Sequence, residues 1–297
     1  MTGQPSLWDQ TGGKVGNDHP QTSHTAARQV RSGTPGSHPA TPSVLTGPLF
    51  YLGVDDAHWL GSIGVPLFVS RRRLENRRTF PRAVERWALD SGGFTEMHKF
   101  GEWRLSSSDY AAQVMRYADE IGHLDWVAPQ DWMCEPSALA MSGRTVAEHQ
   151  DLTVRNFVDL RQRLGPLVVP VLQGWDYDDY LRCVDLYAAE GVDLESERTI
   201  GLGSVCRRQA DDDIGRIIGS LMPLRLHAFG VKGNAFVANS DRLISADSMA
   251  WSYQARRNEP LPGCRHRCCN HCQPYALRWR RRLLRRIDQL RLPLDIG

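Results

Sequence analysis

From Phe50 onward, short apolar runs alternate with longer stretches in which apolar residues recur every three or four positions. The runs at Phe50–Val54, Leu67–Ser70, Trp87–Asp90, Asp125–Ala128, Val168–Leu172, Thr199–Leu202, Leu226–Val231 and Leu243–Ala246 predict strands. Helical spacing predicts helices over Asp109–Ile121, Thr145–Leu164, Asp178–Glu190 and Asp211–Leu221. Apolar strands separated by amphipathic helices indicate parallel β/α units. Eight of them predict an α/β fold, a (β/α)8 TIM barrel. An open, doubly wound sheet is the rival architecture, and the lack of G-x-G-x-x-G after the first strand counts against it.

The pattern fails at both ends. Residues 1–46 are rich in Gly, Ser, Thr, Pro, His and Gln and carry no apolar period. Such a segment cannot bury enough surface to offset its chain entropy, so it is expected to be a disordered tail, with His19, His24 and His38 solvated. After Pro274 one helix is expected, with Ala276, Trp279, Leu283, Ile287 and Leu290 on its apolar face. Arg278, Arg280, Arg281, Arg282, Arg285 and Arg286 cover much of the rest, a density that invites phosphate contacts. The expected organisation is a tail (1–46), a barrel (47–260), and a metal-binding segment with the arginine helix (261–297).

The net charge of +2 says little about nucleic acid; the crowding of arginine near the C-terminus says more. No apolar run approaches the roughly 18 residues of a membrane span, and the N-terminus lacks the apolar core of a signal peptide, so a cytoplasmic protein is expected. Of seven cysteines, four fall in the run Cys264-Arg265-His266-Arg267-Cys268-Cys269-Asn270-His271-Cys272. In a cytoplasmic chain this predicts metal rather than disulfides. Six candidate ligands compete for four tetrahedral positions, and a structural zinc is expected.

In a barrel, reactive side chains gather at the C-terminal ends of the strands. Here those ends read Asp90-Ser91-Gly92-Gly93-Phe94, Pro129-Gln130-Asp131, Gln173-Gly174, Gly201-Leu202-Gly203-Ser204, Gly230-Val231-Lys232-Gly233 and Ser245-Ala246-Asp247-Ser248. A strand-end aspartate is often only a helix cap. Three aspartates and a glutamine in one layer offer more. One aspartate can attack an anomeric carbon, and a second can protonate a leaving base. Asp131 and Gln173 can pair with a purine-like edge, and Phe94 can stack on it. His58 and Trp59 are candidates for the mouth. Arg207, Arg208 and Lys232 are candidates for phosphate or ribose.

The order Leu89-Asp90-Ser91-Gly92-Gly93-Phe94, Asp131, Val171-Leu172-Gln173-Gly174, Gly201-Leu202-Gly203, Phe229-Gly230-Val231, Asp247 resembles the tRNA-guanine transglycosylase superfamily. It is most similar to the DNA-acting branch, the deazapurine-in-DNA protein A (DpdA) family. The resemblance spans about residues 48 to 290. It implies exchange of guanine for a 7-deazaguanine, with Asp247 as nucleophile and Asp90 as general acid/base. It implies base binding by Asp131, Gln173 and Gly203, with Phe94 stacking and Ser91 also on the substrate side. Related enzymes bind zinc through Cys-x-Cys-x-x-Cys and a later histidine. Here Cys264, His266, Cys269 and Cys272 give C-x-H-x-x-C-x-x-C, and Cys268 or His271 can substitute. Asp247 is followed by Ser-Met-Ala-Trp rather than the tRNA enzymes' Cys-Val-x-Pro-Thr-Arg, and the strand-seven loop lacks their proline. DNA is therefore the expected partner and tRNA the alternative; a non-catalytic nucleic-acid-binding barrel and a base-releasing hydrolase are the other readings. A homodimer and partner modification enzymes are left open.

Overall fold

The computed structural model describes residues 47–205 and 211–291. The expected tail, with Arg207 and Arg208, lies outside the described residues. Eight parallel strands form one sheet: β1 (Leu49–Val54), β2 (Leu67–Ser70), β3 (Trp87–Asp90), β4 (Leu124–Val127), β5 (Val171–Leu172), β6 (Ile200–Leu202), β7 (Leu226–Ala228) and β8 (Ser245–Ser248). Their order is β4-β3-β2-β1-β8-β7-β6-β5. Between them run α1 (Gly93–Phe100), α2 (Ser107–Ile121), α3 (Pro136–Ser142), α4 (Val146–Leu164), α5 (Tyr177–Ala189), α6 (Asp211–Ser220), α7 (Gly233–Ala238) and α8 (Ala250–Ala255), and α9 (Gln273–Arg291) follows.

The expected closed TIM barrel is corrected to a curled parallel sheet. Every neighbouring pair along the order makes a ladder, but the edge strands β4 and β5 do not. Across their seam lie one isolated parallel bridge, Val127 to Val168, and the Val169 N–H donating to the Val127 carbonyl at 3.1 Å. Pro170 explains the interruption. It has no N–H to offer a ladder, so the strand expected from Val168 starts only at Val171. Strand eight also differs: it starts at Ser245, because the Leu243 N–H is taken by the Asn239 carbonyl at the end of α7. Asp247 thus lies inside the strand rather than after it.

Alternation along the strands sorts the core into two layers. One set of positions, including Leu52, Val69, Leu89 and Leu202, packs under the helices. The other set, Tyr51, Phe68, Ala88, Trp126, Ala128 and Val169, fills the inside of the curl. Side chains of this second parity nearer the strand ends (Ser70, Asp90, Ala128, Asp247) face the concave mouth.

The helix starts follow capping chemistry. Ser106 caps α2 through the Asp109 N–H, and Thr145 with Glu148 forms a capping box on α4. On α9, Ala276, Leu283 and Ile287 are buried as expected, but Leu290 is 65% exposed and leaves the apolar face. Tyr275 is buried instead. Among the described residues no helix is long and apolar enough to cross a membrane.

Candidate active site and metal cluster

At the C-terminal ends of the strands lies a cavity of about 240 Å3. Asp90, Phe94, Asp131, Gln173, Gly203 and Asp247 all line it. Ser91 lies just behind, buried, with its hydroxyl donating to Asp131 Oδ1 at 3.1 Å. Lys232 does not join them: it is exposed and lines a separate cleft. Trp59 is buried and stacks on Trp251, and His58 contacts Arg77, so neither forms the mouth.

The Asp-Ser-Gly-Gly-Phe turn is shaped by Gly92, whose φ of 87° suits glycine. Buried Arg71 holds the turn from below, donating through Nε to the Ser91 carbonyl at 3.0 Å. Its Nη2 bonds Glu96 of α1 at 3.0 Å, which ties the start of the helix to the same cation. Phe94 stays 42% exposed and stacks on His98 with centroids 4.0 Å apart. Phe94 lines the rim of the cavity.

The base-edge candidates form a buried chain. Gln173 Nε2 donates to Asp131 Oδ2 at 2.6 Å, and Ser204 Oγ donates to Gln173 Oε1 at 2.7 Å. Ser204 also accepts the Cys134 N–H and faces Glu135 Oε2 at 3.0 Å. These contacts hold Ser204 at a φ of 55°, a conformation that costs a non-glycine residue energy. Gly203 is required sterically, since a Cβ there would meet Gln173 Nε2 at 2.3 Å.

The three carboxylates sit in different environments. Burial raises the Asp90 pKa above the ordinary carboxylate range, and the Asp247 charge pushes it the same way against bonds from Ser70 and Gly92. Burial, then the Asp90 charge, lifts Asp131 to about 7, although Gln173 and Ser91 favour its anion. Asp247 Oδ1 accepts the Gly230 N–H at 2.8 Å. A carboxyl able to hold a proton thus stands beside one held by a backbone donor.

Farther along the chain, Cys264, His266, Cys269 and Cys272 place their ligand atoms within 4.8 Å of one another. Cys264 Sγ lies 3.9 Å from both Cys269 Sγ and Cys272 Sγ. Tetrahedral thiolates around zinc at ~2.3 Å stand about 3.8 Å apart, so the donor set fits such an ion. The competing ligands point elsewhere. Cys268 donates to the Ala255 carbonyl at 3.2 Å, and His271 pairs with Asp55 at 3.1 Å. The cluster sits between α8 and α9.

A family model for DeoxyPurine in DNA protein A (DpdA) matches residues 48–296. The chain belongs to the DpdA family. No curated protein matches it. Membership in DpdA supports a DNA-modifying transglycosylase role in general, and the match covers both the cavity and the cluster.

Beside the DpdA cavity lies a second cleft of about 500 Å3, where α7, α8 and α9 meet. Lys232, Arg257, Arg282 and Arg286 line it, with Tyr253 and Trp279. No carboxylate is among the lining residues. Only part of the arginine helix therefore faces it; Arg280 is half-buried and donates to the Phe50 carbonyl at 3.2 Å. Sequence reasoning noted Ser204 at a strand end without giving it a role, and missed Glu135 and Arg71, as well as His227, which is fully buried with Nε2 3.4 Å from Asp247 Oδ1. The only signal for His227 was a polar residue in the apolar run Leu226-His227-Ala228-Phe229.

Proposed function

We propose that this DpdA protein exchanges guanine in DNA for a 7-deazaguanine, such as 7-cyano-7-deazaguanine, through a covalent aspartyl-glycosyl intermediate. The observation that carries the reading is one cavity holding Asp247, Asp90 and the Asp131–Gln173 pair together. An oxygen of Asp247 attacks C1′ of a deoxyguanosine that has left the stack. The C1′–N9 bond breaks, its electron pair leaves with the purine, and Asp90 supplies the proton. The incoming base then returns a proton to Asp90 and bonds C1′, and the Asp247 carboxylate is regenerated. Asp90 suits both directions because burial and the nearby Asp247 charge raise its proton affinity.

Ionised Asp131 accepts from the N1–H and N2–H donors of guanine, Gln173 and the Gly203 backbone complete the edge, and Phe94 stacks at the rim. The basic cleft follows the cavity along the chain. Gly230 and Met249 line the cavity, while Lys232 and Ala250 line the cleft. Phosphates flanking the flipped nucleotide run along it, which gives Lys232 a phosphate-binding role. Cys264, His266, Cys269 and Cys272 hold a structural zinc that anchors α9 beside this cleft.

The test is adduct trapping on denaturing gels with labelled deazaguanine incorporation, on DNA and on tRNA. Asp247→Ala should abolish the adduct. Asp90→Ala should cripple exchange while base binding persists. Adduct formation by Asp247→Ala would refute the nucleophile assignment, and labelling of tRNA alone would refute DNA as substrate.

A further inference from the structure

We infer that His227 is a positioning residue for Asp247: it selects which carboxylate oxygen faces the cavity and holds the other in place. The inference rests on Asp247 being the nucleophile. His227 lies on β7, opposite Ser245 of β8 in register, and Asp247 follows two residues later on the same face. Its Nδ1 is 2.8 Å from Ser245 Oγ. A serine hydroxyl donating to Nδ1 leaves the ring proton on Nε2. That nitrogen is buried, makes no hydrogen bond among the described residues, and faces Asp247 Oδ1 at 3.4 Å.

The ring cannot turn to another partner. Tyr51, Phe68, Trp126 and Phe229 pack around it, with centroids 5.8, 5.7, 4.7 and 5.0 Å away. Oδ1 already accepts the Gly230 N–H at 2.8 Å. One N–H group is therefore bonded to Oδ1 and a second stands 3.4 Å away, close enough to close on it as the reaction proceeds, which leaves Oδ2 as the attacking atom. When Oδ2 bonds C1′ and the C1′–N9 bond breaks, Oδ1 becomes the ester carbonyl oxygen. When the incoming base displaces the ester, the electron pair returns to the carboxylate, and the donors already placed at Oδ1 meet its share of that charge with little movement. Fixing the nucleophile in one orientation also removes an entropic cost from attack.

The experiment measures single-turnover adduct formation on saturating single-stranded, guanine-containing DNA, with DNA affinity and melting temperature measured separately. His227→Phe keeps an aromatic ring but removes the donor. It should slow adduct formation on the order of 10- to 100-fold, while DNA affinity stays within about twofold. His227→Gln can place an amide N–H near the Nε2 position and should recover most of the rate. Ser245→Ala frees the tautomer and should give an intermediate rate. A wild-type rate in His227→Phe, or equal losses in His227→Phe and His227→Gln, would overturn the inference. Should His227→Phe not fold, a wild-type rate in Ser245→Ala would overturn it instead. An adduct formed by Asp247→Ala would instead overturn the nucleophile reading beneath it.

Discussion

Adding one methyl group at Gly203 should damage base recognition through Gln173. The new Cβ would stand 2.3 Å from Gln173 Nε2, 2.5 Å from Cδ and 2.7 Å from Oε1. Ordinary contact starts at 3.4 Å, so the amide must retreat by about 1 Å. Gln173 is buried and clamped at both ends, by Asp131 at 2.6 Å and by Ser204 at 2.7 Å. A retreat of that size breaks both bonds geometrically. One is worth about 0.5–1.5 kcal/mol and the other, to a carboxylate, about 1.5–3 kcal/mol. If about 2 kcal/mol of that total is lost from the bound complex, base affinity falls on the order of 30-fold. The assay is labelled-base incorporation by Gly203→Ala, with KM for the incoming base expected to rise by that order and kcat to change less. The double variant Gly203→Ala/Gln173→Ala should show a much smaller added effect of the methyl group, because the clash partner is gone. An unchanged KM in Gly203→Ala would refute the placement of Gln173 on the base edge.

Three further outcomes follow from the site and its surroundings. Burial raises Asp131 to about 7, above its unfolded value of 3.8, so its contribution to stability is full below 3.8 and is lost as pH rises through about 7; Asp131→Asn should therefore gain melting temperature relative to wild type between pH 5.5 and 8.5, and parallel curves would refute this. Purified protein should carry about one zinc per chain, and Cys269→Ser or Cys272→Ser should lose metal and melting temperature together; metal-free protein with unchanged melting would refute the site. Charge removal at Arg257, Arg282 and Arg286 should weaken DNA binding and flatten its salt dependence more than removal at Arg281 and Arg285, which lie outside the cleft lining; equal effects would refute the cleft as the phosphate path.

The strands were legible because each is an apolar run bounded by polar or glycine-rich segments, and in three of them a limit differs from expectation by more than one residue, for local reasons. Pro170 shortened β5, the end of α7 displaced β8, and β7 ends at Ala228 before Gly230 turns at a φ of 57°. The short helices α1, α3, α7 and α8 were not legible, since six to eight residues carry too little period to register. Asp90, Phe94, Asp131, Gln173, Gly203 and Asp247 were readable as candidates from their order at strand ends, and the fold brings them to one cavity. Lys232, the candidate for phosphate or ribose, lines the neighbouring cleft rather than the cavity, because the residue after a turn no longer follows the strand's alternation. His227 and Arg71 are buried against Asp247 and the Ser91 carbonyl, and only three-dimensional packing reveals such a position. The four cluster ligands could not be separated from Cys268 and His271 by spacing, because Ala255 and Asp55, which occupy those two side chains, are distant in sequence.

The weak seam of the sheet and the proposed base pocket are the same place. β4 and β5 share no ladder, yet Asp131 follows the first and Gln173 follows the second. Their 2.6 Å hydrogen bond therefore spans the two edges at the mouth, above the Val127–Val168 bridge. Helix α4 ties both loops from outside: Gln150 donates to the Gln173 carbonyl at 2.6 Å, and Asn156 donates to the Gln130 carbonyl at 2.7 Å. The interruption at Pro170 costs ladder hydrogen bonds at the edge of the sheet, and the polar pair that spans the seam instead is the one to which the proposed function gives the reading of a purine.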